Sequence, residues 1–76
     1  MMNNPFVDRM ARSFAERVQR EAGADVGAQV SLAYRLSVGR IPTRDEQDRG
    51  EKVTHDAGLK AVCWALFNSS EFAYVK

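Results

Sequence analysis

His55 and Cys63 are the two residues best suited to act as a reacting pair, an imidazole to take a proton and a thiolate to attack. Each is the only one of its kind in the chain. Nucleophilic catalysis requires the pair within hydrogen-bond reach and a third group orienting the base. Cys63 instead falls on the apolar series Leu59, Val62, Cys63, Leu66 and Phe67, where desolvation opposes the thiolate. His55 falls in a polar stretch. Cys63 is expected to be a small core residue and His55 a surface loop residue. A single cysteine leaves no internal disulfide and no multi-cysteine metal site.

Oxygen ligands do not assemble in sequence either. Asp45, Gln47, Arg49, Gly50 and Asp56 stand at the first, third, fifth, sixth and twelfth positions of an EF-hand frame. Arg49 puts a cation where an oxygen ligand belongs, and Asp56 is shorter than the bidentate glutamate such loops use. Gly23, Gly27 and Gly39 punctuate or pack helices and do not form a phosphate loop. Asn68-Ser69-Ser70 matches a glycosylation sequon, although ending a helix is the simpler role. No cofactor and no metal are expected.

Eleven basic and ten acidic side chains leave a formal charge of +1, so no global field draws nucleic acid or an anionic membrane. Asp8 precedes Arg12 by four residues, Glu16 precedes Arg20 and Arg17 precedes Glu21, which reads as a solvated helix face. The main exception is the set Arg35, Arg40 and Arg44 around a turn, which supports an alternative reading as a helix-turn-helix-like nucleic-acid binder. Nucleic acid is otherwise disfavoured. Among the aromatics, Trp64, Phe72 and Tyr74 are candidates either to close a small bundle or to meet a partner, with Trp64 and Tyr74 the possible contact residues.

The elements that must hold these residues are helical. Asn4 caps and Pro5 opens a first helix in which Phe6, Met10, Phe14 and Val18 recur every four residues, with Gly23 as its stop. Asp25 caps a second, Val26 to Val38, apolar nearly all round and so expected in the middle of the bundle. Thr43 and Glu46 form a capping box for a third. Gln47 to Lys52 give that helix no apolar face, so it is expected to be short, to fray near Gly50 and to pass into a loop through Thr54 and His55. Asp56 is expected to cap a fourth helix carrying Leu59, Val62, Cys63, Leu66 and Phe67. Trp64 points about 130° from that stripe. Asn68 then ends the helix in a left-handed conformation or caps a final turn.

Three blocks stand out as a set: Asn4-Pro5-Phe6-Val7 leading into Met10 to Arg17, Ala33 to Thr43 with Glu46, and Leu66 to Phe72 with Tyr74-Val75. Together they resemble the C-terminal end of a planctomycete surface-domain family of unknown function. The resemblance implies a helical end-piece of a longer protein, often one that also carries cytochrome-c-like domains. It implies no catalytic residues, and the chain has no Cys-x-x-Cys-His to carry over haem attachment. After Thr43 this chain departs from the family, which continues there with an apolar helix.

The reading is therefore one all-α domain over 1–76, a small four-helix bundle whose third helix is short or weak, with the aromatic C-terminal tail packed on it. The expected core is Phe6, Met10, Phe14, Val18, Val30, Ala33, Leu36, Leu59, Val62, Cys63, Leu66, Phe67 and Phe72. Its expected function is a non-catalytic structural or interaction module with an unknown protein partner or self-association, since a 76-residue chain is short of core material. Residues 1–8 lack the charged and apolar regions of a signal peptide, and no stretch approaches the ~18 apolar residues of a membrane span. A cytoplasmic location is expected of the chain as written, and export if it belongs to a longer family protein.

Overall fold

The computed structural model describes residues 5–69 and contains four α-helices, α1 (Pro5–Ala22), α2 (Val26–Ser37), α3 (Arg44–Ala57) and α4 (Leu59–Phe67). The all-α, four-helix fold read from the sequence is the fold the chain adopts. Among the described residues α2 and α4 each pack on all three other helices, whereas α1 and α3 do not meet. Asn4 and the tail residues Phe72, Tyr74 and Val75 lie outside the described residues.

Capping proceeds largely as the residue types dictate. The Asp25 carboxylate accepts from the Gly27 N–H at 3.0 Å, and buried Gln29 donates through Nε2 to the Gly23 carbonyl at 2.6 Å, tying the end of α1 to the start of α2. At α3 the capping box is complete, with Glu46 N–H to Thr43 Oγ1 at 3.2 Å and Thr43 N–H to Glu46 Oε1 at 2.9 Å. The Arg40 guanidinium forks onto the same carboxylate at 2.8 and 3.0 Å and lies 5.9 Å from the Tyr34 ring centroid, closing the turn between α2 and α3.

The third helix is neither short nor frayed. It runs unbroken through Gly50, Thr54 and His55 for 14 residues. What replaces the missing apolar face is close approach. Gly50 is buried, and a Cβ placed on it would stand 2.7 Å from Val30 Cγ1, so the backbone of α3 rests directly on a side chain of α2. Gln47 Nε2 donates to the Gly27 carbonyl at 2.9 Å and to Glu51 Oε2 at 2.7 Å, adding a polar clamp between the same two helices. Nor does Asp56 cap the fourth helix, since it lies inside α3. Gly58 alone makes the corner, at φ 94° and ψ 159°, a region essentially closed to residues with a Cβ.

The core is centred elsewhere on α1 than the four-residue repeat suggests. Ala11, Ala15 and Val18 are its buried residues, and they join Ala33, Leu59, Val62, Cys63 and Leu66 in one cluster. Val30 is also fully buried. Phe6, expected inside, is 60% exposed, and Met10, Phe14, Leu36 and Phe67 are only half-buried. The cause is helical geometry. At about 100° per residue, four residues overshoot a full turn by about 40°, so Phe6 and Val18 stand about 120° apart. The series winds round the helix from solvent into the core.

Candidate functional site

That winding leaves a groove on the outer flank of α1. Phe6, Met10 and Phe14 form one wall with Arg9, Ser13 and Arg17 along it, while Leu36, Ser37 and Phe67 close it from α2 and α4. Its volume is about 680 Å³, within the range of small-ligand and peptide-side-chain sites. Phe14 and Phe67 meet with ring centroids 5.3 Å apart and planes inclined at 45°, a tilted pair that sets the inner edge. Ser37 is buried at the floor, where its hydroxyl donates to the Ala33 carbonyl at 2.6 Å and is thereby satisfied within its own helix.

α4 holds α1 in place for this arrangement. Lys60 Nζ reaches Asp8 Oδ1 at 2.8 Å near the start of both helices, and the phenyl pair lies farther along both, so α1 and α4 run side by side in the same direction. The hydrogen bond from Lys60, aided by the nearby Lys60 and Arg12 charges, lowers the Asp8 pKa against a smaller desolvation effect. On the groove itself the only charged residues among those described are Arg9 and Arg17. Arg17 pairs with Glu21 at 2.9 Å, as the spacing predicts, and both partners are about half exposed. Arg9 has no ion-pair partner among the described residues.

The other residues singled out by type sit apart from this groove. Cys63 is fully buried, and desolvation pushes its thiol from 9.0 up to about 12, which keeps it protonated at neutral pH. His55 is exposed on α3, in a helix and not in the loop expected for it. The EF-hand frame Asp45 to Asp56 lies along that same helix, so its oxygens cannot wrap an ion. Arg40 is committed to Glu46, so only Arg35 and Arg44 of the arginine set extend freely exposed. Asn68 does not turn left-handed: at φ −95° its amide donates to the Trp64 carbonyl at 2.8 Å and closes α4. Glu16 and Arg20 form no ion pair in the described structure, unlike the other two pairs read from α1.

Trp64 is half-buried against the core cluster, and Tyr74 lies outside the described residues. The residues that line the groove were legible as apolar but not as surface. The signal that distinguishes them is the neighbouring alanine series, Ala11 and Ala15, which marks where another helix can approach closely. No family model matches this chain, and no curated protein or solved structure matches it.

Proposed function

We propose that this chain is a non-catalytic helical module that works by holding a segment of another protein, and that it is the helical end-piece of a planctomycete surface-domain protein. The groove on α1 carries the first part of this reading. It is an apolar trough of about 680 Å³ with a phenylalanine 60% exposed at its mouth, a concave surface of the kind that takes apolar side chains. The three sequence blocks around Phe6, Ala33 to Thr43 and Leu66 to Phe72 support the second part. The burial of Cys63 and the exposure of His55 on a different helix agree with a role in binding and not in bond-making.

The test is a titration of the isotopically labelled chain with a neutral apolar dye, N-phenyl-1-naphthylamine, followed in amide and methyl NMR spectra. The reading expects shifts concentrated at Met10, Ser13, Phe14, Leu36 and Phe67. Absence of shifts, or shifts spread evenly over the four helices, refutes the groove as the binding surface.

A further inference from the structure

Charge on the groove selects its occupant. We infer that it takes an acidic amphipathic segment of a partner protein, whose large apolar side chains seat between Phe6, Met10, Phe14 and Phe67 while flanking carboxylates meet Arg9 and Arg17. This rests on the reading of the groove as an interaction surface and adds the chemistry of the partner.

Among the described residues the lining carries two guanidinium groups and no carboxylate. Arg9 is unpaired among the described residues, and Arg17 is held only by an exposed (i, i+4) pair with Glu21, an interaction weak enough to exchange for a second carboxylate. Eight residues separate the two arginines, which is about 12 Å along a helix. Carboxylates about two helical turns apart on a docked helix match that interval, with the apolar stripe between them facing the trough. A second copy of this chain is a poor occupant in register. An antiparallel two-fold axis at Ser13 sets Arg9 of one copy against Arg17 of the other, and a parallel one sets each arginine against itself, which like-charge repulsion opposes. The apolar walls likewise favour a peptide over a bare phosphate backbone, which needs cations and no trough.

Fluorescence anisotropy on the full chain tests the inference with two synthetic probes. One is an amphipathic helix of about four turns with Leu and Phe on one face and Glu on the other; the second is identical except for Lys in place of Glu. The Glu peptide is expected to bind at least ~10-fold more tightly, to weaken by about 10-fold with Arg9→Glu and Arg17→Glu together, and to weaken in high salt. Both substitutions lie on exposed positions, and an unchanged helical spectrum verifies that the variant is folded. Equal binding of the two peptides overturns the acidic partner while leaving the groove as a binding surface. Binding that ignores both arginines places the peptide elsewhere and overturns the inference. No binding of either peptide overturns the inference together with the reading beneath it. Binding that appears only after Phe72→Ala and Tyr74→Ala replaces the partner with the chain's own residues 70–76, and a dimer in sedimentation that blocks the peptide replaces it with a second copy.

Discussion

Replacing Gly50 by alanine separates two effects that act in opposite directions. In an exposed helix interior the change stabilises by about 1 kcal/mol, because alanine loses less backbone entropy on ordering. Here the new Cβ would stand 2.7 Å from Val30 Cγ1, whereas carbon atoms pack best at about 3.5–4.0 Å. Val30 cannot easily yield. It is fully buried, and a β-branched side chain in a helix has essentially one rotamer. Relief therefore requires α2 and α3 to separate by roughly 1 Å, at the ~1–3 kcal/mol typical of overpacking. The net expectation for Gly50→Ala is a loss of about 1 kcal/mol, seen as a melting temperature about 4–8 °C below the parent. In a Val30→Ala background the obstructing methyl groups are gone, and the same substitution is expected to stabilise by about 1 kcal/mol. Urea unfolding of the parent, both single variants and the double variant, followed by far-UV circular dichroism, gives the complete cycle. Gly50→Ala melting at or above the parent in the Val30 background refutes the close approach of α2 and α3.

Two further outcomes follow from the titrating groups. Glu46, held down to about 2 from 4.5 first by the Arg40 hydrogen bond and then by the Thr43 N–H, contributes stability that is present above pH 4.5 and lost as pH falls toward 2. Glu46→Gln is therefore expected to flatten the loss of stability across that interval in acid titrations, and a parent-like acid profile in the variant refutes the bidentate contact. Cys63, raised from 9.0 to about 12 by burial, contributes stability that is complete below pH 9 and lost as pH rises toward 12. At pH 8 the native thiol should react with a disulfide reagent only as fast as the fold opens, so that added urea accelerates labelling; rapid labelling without denaturant contradicts a buried Cys63.

Much of the architecture could be read because local chemistry and fold agree there. Asp25 and the pair Thr43 and Glu46 cap the helices their types suggest, and Gly23 follows the last residue of α1. The misreading of α3 has a specific source. Periodicity counts apolar side chains, and the face of α3 against α2 is built from Gly50 and Gln47, whose contribution is closeness and a hydrogen bond to the Gly27 carbonyl. A glycine inside a polar helix looks like a point of fraying unless its partner, Val30, is known, and that contact is tertiary. Asp56 looks like a helix cap for the same reason, although α3 continues past it to the corner at Gly58.

The groove was hidden by a finer error, and it bears on what the chain does. Phe6, Met10, Phe14 and Val18 look like one stripe, yet a strict four-residue repeat turns by about 40° at each step. Small side chains take the inside: Ala11, Ala15, Ala33 and Gly50 bring the helices together, and the large rings of Phe6, Phe14 and Phe67 are left toward the rim. Fully burying a phenylalanine is worth about 1.5–3 kcal/mol, a substantial part of the stability of a domain this size. Phe6 is 60% exposed, beside an Arg9 that has no ion-pair partner among the described residues, so only part of that stabilisation is realised. On the proposed reading, a segment with apolar and acidic side chains that covers the trough would recover that stabilisation, so the residues left toward the rim would favour binding such a partner.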